Sequence, residues 1–203
     1  MSIAQLLEKM IDYSAGNIHD IDHLIRVWTY AKTIGELEGL DANAQFILET
    51  AAITHDIACP LCREKYGNTN GKRQEEEGGP LVRSFLADAG LSAEQVDRVA
   101  YLVSHHHTYT DIDGIDYQIL IEADYIVNAS ESGYSPENRK SFLEKHMKTE
   151  SGKLKVTMQE DCAANFQLST FNFQLNLDFR ALTAFSEDDP EAARSILSSF
   201  VEE

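Results

Sequence analysis

The sequence predicts an all-α domain, followed by a C-terminal extension that includes a short β segment. Three observations lead there. Apolar residues recur at threes and fours through most of the first 150 positions. Residues that start and stop helices bracket those runs. The composition, 43% hydrophobic and 25% charged, is that of a globular chain. With 203 residues the chain is long enough to bury a core without disulfides or metals to keep it folded. The expected division is a helical domain over 1–150 and an extension over 151–203.

The first clear helix runs over 18–37, where Ile21, Leu24, Ile25, Trp28, Ala31 and Ile34 form one stripe and Gly39 ends it. Asp41 is a natural N-cap for the next, which carries Ala44, Ile47, Leu48 and Ala51 to about Asp56. Pro60 closes that region, and Gly67, Asn68, Asn70 and Gly71 mark 60–73 as a loop. Leu81, Val82, Phe85, Leu86 and Ala89 describe a further helix that Gly90 ends. Ser92 and Gln95 then make a capping box ahead of Val96, Val99 and Val103. After a polar turn from Asp111 to Gly114, Ile115, Ile119, Leu120, Ala123 and Val127 form another stripe, and Ser135-Pro136 opens one more helix. Beyond that the period changes. Phe171, Phe173, Leu175, Leu177 and Phe179 alternate with polar residues, more weakly echoed by Leu154, Val156 and Met158, and Asp189-Pro190 starts a last helix ending near Phe200.

Charge and cysteine content narrow the function. Seventeen Lys and Arg stand against 34 Asp and Glu, a formal net charge of -17, so a nucleic-acid backbone or an anionic membrane would be repelled. No run reaches the roughly 20 apolar residues of a membrane-spanning helix. The first residues, with Glu8 and Asp12, lack the basic and apolar regions of a signal peptide. Three cysteines do not make a disulfide framework, and a cytoplasmic location is expected.

Six of the seven histidines fall in three short segments: His19 and His23, His55, and His105 to His107. His23 lies between Ile21 and Leu24, and His106 continues the stripe of Val99 and Val103. Asp124 sits four after Leu120 and three before Val127, facing the core. One inward histidine is ordinarily a hydrogen-bonded core residue. Several inward imidazoles and carboxylates on separate helices leave unpaired buried charge unless a cation collects them. Imidazole nitrogen with carboxylate oxygen suits Fe, Mn, Co, Ni, Zn or Mg.

The order His23, His55-Asp56, Asp124 resembles the H…HD…D signature of the HD-domain metal-dependent phosphohydrolases. His23-Leu24-Ile25-Arg26-Val27 is similar to the family's H-x-x-R-V segment, and Ala51-Ala52-Ile53-Thr54-His55-Asp56-Ile57 to its A-A-x-x-H-D-I segment. Ile121-Glu122-Ala123-Asp124 looks like the stretch that supplies the closing aspartate. The resemblance covers 17–130 and implies a helical bundle with His23, His55, Asp56 and Asp124 as ligands of one divalent metal. Some branches hold a second metal through extra histidines. Here glutamates, Glu75 best placed among them, stand where the first would be, and His106 matches the second.

The implied chemistry is hydrolysis of a phosphate ester, of a nucleotide or related small metabolite, by a metal-activated water that Asp56 orients. Arg26, three after His23 on the same helix face, Lys72 and His107 are candidate substrate contacts, with a surface role equally open for each. Cys59-Pro60-Leu61-Cys62 lacks a second cysteine pair and reads as structural. No P-loop, dinucleotide-binding glycine pattern or serine elbow is present. Two other readings stand beside the hydrolase: an HD-type diiron oxygenase, and a non-catalytic metal- or nucleotide-binding protein. The alternating segment near Phe171 would suit a homo-oligomer interface.

Overall fold

The computed structural model describes residues 1–153, and every regular element among them is an α-helix. The expected β alternation and final helix lie outside the described residues. The helices are α1 (Ile3–Tyr13), α2 (Ile18–Leu37), α3 (Ala42–Thr54), α4 (Cys59–Tyr66), α5 (Gly71–Phe85), α6 (Ala93–Val103), α7 (Ile115–Glu131) and α8 (Pro136–Lys145).

Helix α3 is the axis of the bundle and packs against α1, α2, α6 and α7. Its residues from Ile47 to Thr54 are all buried, so the apolar stripe read from the sequence is one face of a helix enclosed on every side. Ala51 and Ala52 keep it slim. Its polar members are satisfied locally: Thr50 and Thr54 donate their hydroxyls to the carbonyls of Phe46 and Thr50, at 2.7 and 2.8 Å. Glu49 accepts from the Trp28 indole at 2.8 Å. Helix α7 is similarly enclosed, with 116–127 buried throughout. Apolar residues of α2, α3, α6 and α7 thus form one continuous core.

Two stretches differ from the sequence expectation. Residues 60–73 form a loop only over 67–70 and are otherwise helical. Pro60 sits in the first turn of α4, where its missing N–H has no helical partner to lose. Gly67, at φ +72°, ends that helix, and Asn70 caps α5 by accepting from the Lys72 amide at 3.1 Å. The helix expected over 81–89 is the C-terminal part of α5, which ends at Phe85 and gives way to a turn. A third element, α1, carries no expectation from the sequence reading; its Ser2/Gln5 capping box and buried Leu6 and Met10 dock it on α3. Gly78 lets α5 lie close to α6, because a Cβ there would stand 2.8 Å from Val103 Cγ1.

Glu122 on α7 is fully buried and has no cationic partner among its bonds. It instead gathers donors from its own helix and from the segment after α8: Oε1 accepts from Gln118 Nε2 at 2.7 Å and from the amides of Lys148 and Thr149 at 2.6 and 3.0 Å. The Thr149 hydroxyl donates to Oε2.

Candidate metal centre

Two helices and two turns deliver imidazoles and carboxylates to one place. His23 projects from α2, Asp124 from α7, and the turn after α3 supplies His55 and Asp56. His23 Nε2 lies 3.2 Å from His55 Nε2, 3.2 Å from Asp124 Oδ1 and 3.6 Å from Asp56 Oδ2. His55 Nε2 is 3.5 Å from Asp124 Oδ1 and 3.7 Å from Asp56 Oδ2. The other oxygen of Asp56 is 3.5 Å from His106 Nε2, in the turn that follows α6. Two groups of donors therefore share Asp56: His23, His55 and Asp56, and Asp56, His106 and His107.

The second nitrogen of each ring decides what the first can do. His55 Nδ1 lies 2.8 Å from the Ala52 carbonyl, His106 Nδ1 2.7 Å from the Val103 carbonyl and His23 Nδ1 2.9 Å from Glu131 Oε2. Each Nδ1 must donate to such an acceptor, which turns the Nε2 lone pair inward, the arrangement of metal-binding histidines. Two inward lone pairs 3.2 Å apart, those of His23 and His55, repel unless positive charge lies between them. His106 Nε2 and His107 Nε2 are buried with no hydrogen-bond partner. These unpartnered ring nitrogens and the adjoining carboxylates fit a divalent cation of the kind bound by nitrogen and oxygen.

A model of the HD domain matches residues 20–153. The chain belongs to the HD-domain family. A solved structure from an uncultured Thermotogales bacterium, described as a predicted HD superfamily hydrolase, is similar in fold, with a TM-score of 0.62 over 84% of this chain and 92% of that one at 20% identity. No curated protein matches.

Electrostatics in this HD centre favour a cation. Burial alone would lower the pKa of His23, but its bond to Asp124, the charges of Asp56 and Asp124 and its bond to Glu131 outweigh that and raise it to about 9. Burial would likewise raise Asp56 and Asp124, yet the surrounding imidazoles hold both well below the usual carboxylate range. The carboxylates thus stay ionised at neutral pH, and a proton is the cation that competes with a metal at His23. Burial, with the neighbouring His106, brings His107 down to about 4, so its ring is neutral and able to act as a ligand. Gly71 makes room for that ring: a Cβ there would meet His107 Cγ and Cδ2 at 2.7 Å.

A cavity of about 330 Å³ opens beside the centre, lined by His23, Asp56, His107 and Asp124 and, beyond them, by Arg63 and Tyr109. The structure brings His23, His55, Asp56, Asp124 and His106 together. It does not bring three other candidates to the cavity. Glu75 Oε1 instead accepts from the His107 amide at 3.1 Å and the Thr108 hydroxyl at 2.9 Å, bracing the histidine turn, because α5 points its neighbour Gln74 inward. Arg26 donates to Glu131 at 2.9 Å and Ser130 at 3.0 Å, and Lys72 is exposed on α5.

Several residues at the site carried no mark in the sequence reading. Asn128 and Glu131 follow Asp124 by four and seven, so the same face of α7 presents all three, and Asn128 Nδ2 donates to Asp124 Oδ1 at 2.8 Å. Gln74 Nε2 donates to the Thr69 carbonyl at 2.9 Å, and its Oε1 faces the Cys59 thiol at 3.4 Å. Burial and Asp56 push that thiol up, which keeps Cys59 protonated; both Cys59 and Cys62 are free and buried, as a structural role requires.

Glu131 serves the centre through His23, and Arg26 steadies Glu131. Glu131→Ala should therefore weaken metal binding by about 10- to 100-fold, the usual cost of losing the partner of a ligating histidine. Titration with Co2+, followed by its absorption bands, would measure this; unchanged affinity would show that His23 needs no such support.

Proposed function

We propose that this HD domain is a metal-dependent hydrolase of a phosphate ester, of a nucleotide or a related small metabolite. The observation that carries the reading is the convergence of His23, His55 and His106 Nε2 lone pairs on Asp56 and Asp124, each ring fixed by its Nδ1 bond. His23, His55, Asp56 and Asp124 would hold one divalent ion, and Asp56, His106 and His107 a second. A divalent ion held there supplies Lewis acidity toward a phosphoryl oxygen and lowers the pKa of a water toward neutrality. Asp56, ionised and bordering the cavity, accepts a hydrogen bond from the attacking water and orients it. Asn128 and Glu131 keep the donors of α2 and α7 in place. The description of the Thermotogales protein, a predicted HD superfamily hydrolase, agrees with this class of reaction.

Two donor groups sharing one carboxylate also suit a pair of irons, and this favours the HD-type oxygenase as the second reading. We further place the enzyme in the cytoplasm, where free Cys59 and Cys62 stay reduced; no helix among the described residues is long and apolar enough to cross a membrane. The decisive experiment is elemental analysis of the purified protein, with phosphate release recorded across nucleotides and small phosphate esters before and after chelation. Metal bound at one or two per chain, with hydrolysis lost on chelation and restored by the ion, is the expected result. Two irons with oxygen consumption and no phosphate release would replace the hydrolase by the oxygenase. Absence of both metal and turnover would refute both.

A further inference from the structure

The cavity beside the metal donors has one Lys or Arg among its lining residues, Arg63, in a chain whose formal charge is -17. Arg63 lies in the last turn of α4, and its guanidinium is held by a single carboxylate, Asp20, in the first turn of α2. Nη1 donates to Asp20 Oδ1 at 3.3 Å and Nη2 to Oδ2. The backbone of Asp20 is anchored at the start of α2, where its amide donates to Asn17 Oδ1 at 3.3 Å.

Of the five N–H donors on a guanidinium, that pairing uses two. The remaining three have no partner among the described residues, although the side chain is 40% exposed and borders the cavity. The other three carboxylates of the lining are occupied otherwise: Asp56 and Asp124 by imidazoles, Glu131 by His23 and Arg26. A guanidinium braced along one edge with its other donors open is pre-organised to receive an anion.

We propose that Arg63, braced by Asp20, binds a second anionic group of the substrate, so that the substrate is a compact phosphate ester carrying a further phosphate or a carboxylate. This rests on the phosphohydrolase reading, in which the scissile phosphate is placed at the metal donors. The size agrees: about 330 Å³ lies near the lower end of the roughly 300–1,000 Å³ of small-molecule sites.

The test is calorimetric binding of three probes, inorganic phosphate, pyrophosphate and 2-phosphoglycolate, to the Co2+-loaded full chain. Cobalt absorption would be followed throughout to confirm that the ion stays bound. The wild type should bind the two larger probes more tightly than phosphate. Arg63→Ala should weaken those two by about 10- to 100-fold and phosphate by far less, as expected for lost charge-assisted bonds. Arg63→Lys, which keeps the charge without the fork, should recover part of the loss and guards against a folding defect in the first variant. Loss with pyrophosphate alone identifies a second phosphate as the group recognised, and loss with 2-phosphoglycolate alone a carboxylate. Equal loss for all three probes, or none for any, would overturn the inference. Discrimination that depends on Arg63 without any metal-dependent hydrolysis would leave the anion site standing and remove the hydrolase. Hydrolysis without that discrimination would do the reverse.

Discussion

Asp56→Ala should abolish ion binding at both donor groups and lower turnover by more than the roughly 10- to 100-fold that losing an outer partner of a ligand costs. The reason is geometric. Asp56 alone turns one oxygen to His23 and His55, at 3.6 and 3.7 Å, and the other to His106, at 3.5 Å. Asp124 touches only the first group, so Asp124→Ala should spare the pair His106 and His107, and His106→Ala should spare His23 and His55. Elemental analysis of the three variants separates these cases. Asp56→Asn, nearly the same shape, should lose the ions as well, because its amide N–H groups would point toward cations. Retention of a full metal complement by Asp56→Ala would show that the two groups do not share this carboxylate.

Glu122→Ala should cost the fold about 3 kcal/mol or more while leaving His23, His55, Asp56 and Asp124 unchanged. The amides of Lys148 and Thr149, the Gln118 side chain and the Thr149 hydroxyl all donate to this one buried carboxylate. Alanine would leave two backbone amides without an acceptor, one of them fully buried, each at about 1–3 kcal/mol. Glu122→Gln retains one acceptor oxygen and should lose less. Urea unfolding of the chelated proteins measures both, and a loss under about 1 kcal/mol for alanine would mean that water replaces the carboxylate. The chain after α8 is thus pinned to α7 two residues before Asp124, so stability and site geometry meet on the same helix.

The two kinds of information in this protein have different ranges. Helices α2, α3, α6, α7 and α8 were legible because their apolar spacing and caps are local, and the Ser92/Gln95 box is present as expected. Helix α4 was hidden because its first turn holds Pro60, its body is short and charged, and glycines and asparagines follow it; the same residue types serve loops and helix ends. Glu75 was the wrong neighbour to choose by spacing to Val82: only the packing of α5 on the histidine turn decides that Gln74 points inward and Glu75 braces His107 and Thr108.

Residue type and order suffice to state the helical class and membership of the HD family, and to single out His23, His55, Asp56 and Asp124 as candidate donors. Which side chains brace those candidates follows from how the helices pack. Glu131 orients His23 across 108 positions of chain and Asp20 braces Arg63 across 43, pairings that no local period encodes. A hydrogen bond of that kind depends on where two helices end relative to each other. That is set by the packing around α3 and α7, a property of the whole core.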